Sequence, residues 1–500
     1  MVFNSVTFLI FLSTFVTAYW LLPDRPRRAL IFLGSLTFYG FWRIDFLVVL
    51  LLSCAVDFIA ARRIEAADNQ RQRCLWLAGS LCVNLGLLVF FKYAYFLADN
   101  ANSIAGLFGM GEITITWQIP LLLGISFYTF QSISYTIDVY RGLIKAERRF
   151  IPFANYVIFF PQLVAGPILR YREVAPQLKD RPPFQPDELA EGIKRVLIGL
   201  FLKVCCADVI APFVDAGYAV PASSLSPIDV VVLACLFGFQ IYFDFAAYSH
   251  IAIGTAGMMG IRFVENFNWP YHATSPRQFW QRWHISLSSW IRDYVYLPLT
   301  GGRFVDRSTG GIGEVLRDDA KESLAVVASS FDRAKALVLT WLLMGLWHGA
   351  NWTFVLWGAW HAMTILLWRL LRLPEQPKGF ALPLCWMLTF GAAMIGWLPF
   401  RAASLGDALT MLTTLFWPGA WVSALTGQSA LLALPRESYW VFILVLPVML
   451  LAKPAWGLAK NISAKLPMGY ALIEFIALVG LMIMVFLYLR PLDLFIYFQF

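Results

Sequence analysis

Apolar runs long enough to cross a membrane recur along the whole 500-residue chain. The clearest lie at residues 6–22, 75–96, 196–211, 230–258, 439–451 and 473–489. A transmembrane helix needs roughly 20 mainly apolar residues, so the shorter runs must form short, broken or re-entrant segments. Only 14% of the residues are charged, whereas soluble domains carry about 25%. The pattern predicts an all-α polytopic membrane protein with about eleven or twelve transmembrane helices, forming one integral membrane domain over residues 1–500.

The positions of lysine and arginine predict how the chain is oriented. Basic residues cluster at 25–28, 62–73, 141–149, 170–195 and 277–307, and they are absent from 93–117 and 212–230. The positive-inside rule places the first set in the cytoplasm and the second set outside, with the N-terminus outside. Because the basic residues separate the spans and form no single groove-filling patch, the expected partners are membrane lipids and not nucleic acid.

Two apolar segments have basic residues on both sides and are therefore predicted to turn back within the membrane. The first, residues 151–168, contains two prolines and a glycine near its end. The second, residues 334–368, must turn near its middle, at residues 347–351. This places His348 at the tip of a hairpin, away from the cytoplasmic face. An ionisable side chain at membrane depth is by default a candidate functional residue, and desolvation favours its neutral form.

Residues 277–296 carry aromatic and aliphatic side chains at helical spacing. They predict one helix that lies along the membrane interface or dips into it. His284 falls on the edge of its apolar face, where a histidine is less expected than tryptophan or arginine.

Several catalytic signatures are absent from the sequence. It has no nucleotide-binding P-loop, no G-x-S-x-G serine elbow, and no pair of histidines spaced to share a metal ion. The seven cysteines lie mostly within or beside apolar runs and form no C-x-x-C pattern, which indicates buried small residues. Neither a metal nor a permanently bound cofactor is expected.

Five motifs together resemble the membrane-bound O-acyltransferase family, most closely its bacterial branch that acetylates alginate and other secreted polysaccharides. They are FFPQLVAGP at 159–167, YFDF at 242–245, FWQRWHISLS at 279–288, WIRDY at 290–294 and GLWHG at 345–349. The resemblance covers nearly the whole chain. It implies a ring of helices around a thin central region pierced by a tunnel, where a cytoplasmic acyl donor and an outer acceptor meet. The family's essential histidine corresponds to His348, and a second one to His284.

Two features depart from that branch. Its usual Y-S-D-M-A reads YSHIA at residues 248–252, which places His250 where an aspartate is expected. The segment 303–333 is longer and more acidic than expected, and we interpret it as a polar cytoplasmic insertion.

The chemistry of acyl transfer suits these histidines independently of the resemblance. Transfer to an alcohol needs a base that removes the hydroxyl proton, and neutral imidazole contributes on the order of 10²–10⁴-fold. His348 is the candidate base, and His284 could orient a thioester or polarise its carbonyl. Acetyl-CoA is the expected donor. Further candidates for substrate binding or for lining the tunnel are Asp244, Asn351, Trp347, Trp283 and Arg292.

Structural alternatives stay open for most of these residues. Gly345 and Gly349 form a small-x-x-x-small pair, so the turn at His348 could be a close helix crossing. Asp244 could equally be a hydrogen-bonded structural carboxylate. His250, His272 and His361 are expected to be structural, and the tryptophans near the turn to be packing residues.

Two functions are compatible with the sequence. One is an O-acetyltransferase that passes acetyl groups to a secreted polysaccharide through an extracytoplasmic acetyltransferase partner. The other is a transporter or flippase for a polysaccharide or lipid-linked sugar, with His348 in a proton relay. Internal repeats would favour the transporter, and the sequence shows none.

Overall fold

The computed structural model describes residues 1–116, 118–120, 122–180, 182–301, 330–465, 467–489 and 495. Regular structure in these residues is helical throughout, so the all-α prediction is confirmed. Most of the insertion predicted at 303–333 lies outside the described residues, which resume at residue 330.

The described residues form 22 α-helices. In chain order they are α1 Val6–Leu21, α2 Asp24–Gly40, α3 Phe46–Ala66, α4 Gln70–Leu88, α5 Ala94–Leu107, α6 Ile125–Tyr140, α7 Phe150–Ile158, α8 Phe160–Leu163, α9 Tyr171–Lys179, α10 Pro186–Phe201, α11 Asp208–Tyr218, α12 Pro227–Gly257, α13 Pro276–Trp280, α14 Ile285–Ile291, α15 Leu297–Leu299, α16 Ser330–His348, α17 Trp352–Leu370, α18 Ala381–Arg401, α19 Leu405–Phe416, α20 Pro418–Leu425, α21 Arg436–Lys465 and α22 Pro467–Tyr488. Single π-helical turns occupy Val89–Tyr93, Leu202–Ala207 and Arg292–Tyr296.

The chain divides into two compact units. The first comprises Met1–Ile193, Ala252–Val264 and Ser289–Arg333, and the second comprises Lys194–Ile251, Glu265–Ser288 and Ala334–Phe500. The single membrane domain over residues 1–500 stays a prediction.

Six helical stretches among the described residues are long and apolar enough to cross a membrane. They are Gln70–Leu107, Pro186–Tyr218, Pro227–Gly257, Ala381–Arg401, Arg436–Ser463 and Ala471–Tyr488. The bent pair α19 and α20, which meet at 72°, would make a seventh if it forms one broken span. A multi-pass membrane protein is therefore confirmed, whereas the count of eleven or twelve crossings stays a prediction.

The segment predicted to turn back at residues 151–168 does not form a crossing helix. Helix α7 has nine residues, a length of about 13 Å, and it ends at Ile158, after which the backbone of Phe159 is no longer helical. A bilayer core is about 30 Å thick. The short helix α8 follows, and the second half of α7 and all of α8 are buried within the first unit. Irregular backbone of this kind is compatible with membrane depth only when protein surrounds it.

One buried carboxylate of the first unit is paired with polar groups of neighbouring helices. Asp57 on α3 is fully buried and accepts hydrogen bonds from Ser80 and Asn84 on α4 and from Thr136 on α6. Neutral donors from two neighbouring helices thus satisfy one carboxylate, as burial in a medium of low dielectric constant requires.

Candidate active site

The predicted hairpin turn around His348 is confirmed in the second unit. Helix α16 ends at His348, and α17 begins at Trp352. Asn351 caps α17, since its side-chain oxygen accepts the backbone N–H of Thr353 at 3.0 Å. A polar cap is expected here, because the first N–H groups of a helix have no partner within the helix. In the structure, Asn351, which was predicted to line the tunnel, therefore has a structural role as a helix cap.

The turn is also the close helix crossing that the glycine pair predicted. A Cβ atom at Gly345 would lie 2.2 Å from the carbonyl oxygen of Phe354, and one at Gly349 would lie 2.0 Å from the Phe354 ring. Neither position has room for any side chain. The two interpretations of this turn are therefore compatible, because the crossing fixes the backbone that presents His348.

Aromatic rings surround the imidazole of His348, which is 5% exposed. The ring centroids of Trp347, Trp357 and Phe400 lie 4.8, 4.9 and 5.3 Å from its own. Such rings exclude water, and electrostatic interactions are stronger in a site without water. Trp357 is one of the tryptophans expected to be packing residues, whereas Phe400 could not be singled out from the sequence, because an aromatic residue in an apolar helix carries no signal beyond packing.

The predicted continuous helix over residues 277–296 is wrong. It is broken into α13 and α14, and His284 lies in the break with a φ of 43°. This left-handed backbone is rare for residues other than glycine, and it costs roughly 1–3 kcal/mol that the surroundings must supply. Such strained residues concentrate at functional sites, although the strain alone does not prove a function.

Asn266 holds the strained turn in place. Its side chain is fully buried, and its Oδ1 accepts the backbone N–H of Ser286 at 3.3 Å and the Ser286 hydroxyl at 2.9 Å. Its Nδ2 donates to Ser249 at 3.0 Å, and its backbone carbonyl accepts the N–H of Ile285 at 2.9 Å. Residues from three separate stretches of the second unit are thus tied to His284.

These contacts also assign the tautomer of His284. Its Nδ1 lies 3.1 Å from Asn266 Oδ1. The backbone N–H of Ser286 requires an oxygen at that position, so His284 Nδ1 must donate its proton there. Burial lowers the pKa of His284 from 6.5 to about 3, so the ring is neutral at physiological pH. Its Nε2 therefore carries a lone pair. The ring can accept a proton or a hydrogen bond there, but it cannot polarise a carbonyl in this form.

Replacing Asn266 with leucine should lower catalytic activity by about ten- to a hundredfold, because the ring loses its fixed orientation and tautomer. Asn266→Asp keeps an oxygen at the same position. It should recover part of the activity with a shifted pH profile, since a carboxylate stabilises the imidazolium. The measurements are rate against pH and the amount of folded protein. If the leucine variant gives less folded protein but each folded molecule reacts at the normal rate, Asn266 has only a structural role.

A series of aromatic contacts joins the two histidines within the second unit. His284 contacts Phe245 at 4.6 Å between ring centroids, and Phe267 contacts both Phe245 at 5.2 Å and Trp283 at 5.1 Å. Trp283 in turn contacts Trp397 at 4.8 Å. Phe400 in turn packs on Trp397 at 5.5 Å and on His348.

The predicted tunnel residue Trp283 is 1% exposed, and the contacts of Trp283 and Trp347 are those of packed core side chains.

Asp244 is paired with a lysine that sequence reasoning missed. Its Oδ1 lies 2.8 Å from Nζ of Lys203, which is 2% exposed and also lies 2.7 Å from Asp208. The missed signal was a lysine in the middle of the apolar run 196–211. Intramembrane charges are normally paired in this way. The contact therefore supports the structural alternative for Asp244.

Arg292 and the histidines expected to be structural have partners of their own. Arg292 belongs to the first unit, where it pairs with Asp293 at 2.7 Å. His361 lies among tryptophans, with Trp280 at 4.8 Å and Trp357 at 4.9 Å, and His272 contacts the carbonyl of Met449 at 3.2 Å. These contacts fit the expected structural roles. Within the described part of the chain, no group of three or more histidine, cysteine or acidic residues could hold a metal ion.

Comparison with known proteins places these residues in a family context. Residues 148–310 match the membrane-bound O-acyltransferase family. The chain is 39% identical over 478 residues to the probable alginate O-acetylase AlgI of Azotobacter vinelandii, covering 94% of this chain and 90% of that protein. It is 41% identical over 423 residues to the Pseudomonas aeruginosa protein of the same name, covering 84% and 76%. It is also 34% identical over 431 residues to a peptidoglycan O-acetyltransferase of Helicobacter pylori, covering 80% and 76%.

Proposed function

This chain belongs to the membrane-bound O-acyltransferase family, and we propose that it passes acetyl groups from cytoplasmic acetyl-CoA across the membrane for O-acetylation of a secreted polysaccharide. The observation that carries the proposal is the buried imidazole of His348, fixed by a tight hairpin among aromatic rings in a multi-pass membrane protein. The predicted orientation, with the N-terminus outside the inner membrane, is part of the proposal and rests on the basic loops.

The chemistry is transfer of an acyl group from sulfur to oxygen. A hydroxyl group of the acceptor attacks the thioester carbonyl, the new C–O bond forms and the C–S bond breaks. His348 accepts the hydroxyl proton during the attack, and that proton then passes to the departing thiolate, which leaves as CoA. Neutral imidazole is a suitable base near pH 7, and this role contributes on the order of 10²–10⁴-fold.

His284 has a defined part in this scheme. Its Nε2 accepts hydrogen bonds, so it can position the attacking hydroxyl or bind the proton in place of His348. A covalent acetyl-histidine is not required for either arrangement.

The names of the relatives support an acetyl group and a glycan acceptor. The Azotobacter and Pseudomonas proteins are named for alginate, and the Helicobacter protein for peptidoglycan. Both acceptors are sugar polymers that carry free hydroxyl groups. A further relative, which covers 48% of this chain at 30% identity, is named a teichoic acid D-alanyltransferase of Bacillus subtilis. What these names share is an acyl group and a polymer that receives it.

The test is release of CoA thiol by purified full-length protein in lipid nanodiscs. With acetyl-CoA and a small soluble alcohol acceptor, the protein should release thiol and form an acetyl ester in equal amounts. Acetylated pantetheine, which keeps the thioester and lacks the nucleotide, serves as the comparison donor. No protein-dependent thiol release from either donor would exclude acetyl transfer from these thioesters.

A further inference from the structure

Two arginines of the first unit pack on the ring of Tyr294, and two more interact with the acidic residues beside it. The guanidinium carbons of Arg141 and Arg170 lie 5.2 and 5.8 Å from the ring centroid. The hydroxyl of Tyr294 donates to Asp138 at 2.9 Å. We call Arg141, Arg170, Arg172 and Arg292 the arginine cluster. Its members come from three of the basic segments predicted to lie in the cytoplasm, so separate loops converge on one place.

The inner part of the cluster is paired with carboxylates. Arg170 is 6% exposed, lies 2.6 Å from Asp293 and also pairs with Glu173 at 3.4 Å. Burial opposes the charge of Arg170, but these two carboxylates outweigh it and raise its pKa. Arg292 holds the other oxygen of Asp293 at 2.7 Å. A fixed charged core of this kind orients the side chains around it.

The outer part of the cluster is partly open to solvent. Arg172 is half-buried, and among the residues that the structure describes it makes no ion pair and no hydrogen bond. Its charge acts on the buried carboxyl of Asp138 from a distance. The side chain of Arg292 is 47% exposed and has Asp293 as its carboxylate partner. An anion from the solvent can reach these two guanidinium groups.

We infer that the arginine cluster binds the phosphate groups of acetyl-CoA, an inference that rests on the proposed function. Guanidinium groups present a planar set of N–H donors that fits two phosphate oxygens at once. The donor carries a pyrophosphate and a ribose phosphate, whereas its acetyl and pantetheine portions are uncharged. Phosphate on a lipid headgroup has the same chemistry, so the experiment must separate the two sources.

The experiment measures binding of CoA to full-length protein that carries His348→Ala, so that turnover cannot interfere. The protein is held in phosphatidylcholine nanodiscs. A charge-assisted hydrogen bond is worth about 1.5–3 kcal/mol, so Arg172→Gln and Arg292→Gln should each weaken CoA binding on the order of ten- to a hundredfold. Acetylated pantetheine should bind equally to all forms. Dephospho-CoA distinguishes the ribose phosphate from the pyrophosphate as the group that Arg172 contacts.

Lys145→Gln is the matched control, because Lys145 is an exposed cation in the loop that begins with Arg141. It should leave CoA affinity unchanged. Wild-type affinity in both arginine variants would overturn the inference while leaving the proposed function intact. If the variants bind CoA normally and lose affinity only for phosphatidylglycerol nanodiscs, the cluster is a lipid site. If no form of the protein binds CoA, but the protein with His348 intact uses acetylated pantetheine as a donor, then acetyl-CoA is the wrong donor. The proposed function then fails at that step.

Discussion

Replacing His348 with alanine is expected to lower acetyl transfer from acetyl-CoA by about 10²–10⁴-fold, while the protein reaches the membrane in normal amount. The imidazole is the only group of the hairpin turn that can accept a proton near pH 7, and the turn presents it among three aromatic rings. The backbone of the turn depends on Gly345, Gly349 and the cap at Asn351. The hairpin should therefore form without the ring. The measurement is initial rate of thiol release per folded molecule.

Two further variants make this result decisive. His348→Gln fills most of the volume of the ring but is not a base, so it should be as inactive as the alanine variant. His272→Ala removes a half-buried histidine whose ring lies 3.2 Å from the Met449 carbonyl, and it should keep near-normal activity. Near-normal transfer by both His348 variants would remove this residue from the mechanism.

The hairpin could be predicted from sequence because its signals are local. Basic residues on both sides required the chain to turn back, and glycine and asparagine near the middle allowed a tight turn. The same local signals correctly indicated that residues 151–168 do not form a crossing helix. The structure adds what the sequence could not show, which is that Phe354 fills the space beside both glycines.

The break at His284 could not be predicted because its cause is not local. The aromatic spacing over residues 277–296 continues through the break, so a helical period was the natural interpretation. The left-handed backbone is held by Asn266, which is 18 positions away in the chain, and by its contact with Ser249. The role of Asp244 was open for the same reason, since its partner Lys203 is on another helix. Tertiary contacts of this kind override a local pattern.

The family assignment decides between the two functions that the sequence allowed. The chain is an acyltransferase, so the transporter has no observation in its favour. The number of crossings stays a prediction, because apolar composition alone does not distinguish spans from short buried helices. Helix α6, for example, is buried along most of its 16 residues.

Acetylation of the finished polysaccharide is expected to stop when a secreted acetyltransferase partner is deleted, even though this protein is intact. The physical reason is access to His348, which is 5% exposed and packed against Trp347, Trp357 and Phe400. A base must come within about 3 Å of the proton donor that it serves. A bulky glycan chain could not approach so closely without displacing these rings, whereas a small hydroxyl acceptor could. We therefore propose a relay, in which this protein carries the acetyl group across and an extracytoplasmic transferase places it on the polymer.

Reconstitution separates the relay from direct transfer. This protein in liposomes, with acetyl-CoA on its cytoplasmic side and polymer on the other, should leave the polymer unmodified until the extracytoplasmic transferase is added. Polymer-bound acetate is the measured quantity, and thiol release on the cytoplasmic side confirms that the donor is being used. The His348→Ala variant with the transferase present is the matched control, and it should give no polymer-bound acetate. Full-rate acetylation of the polymer by this protein alone would show that the glycan reaches the histidine directly.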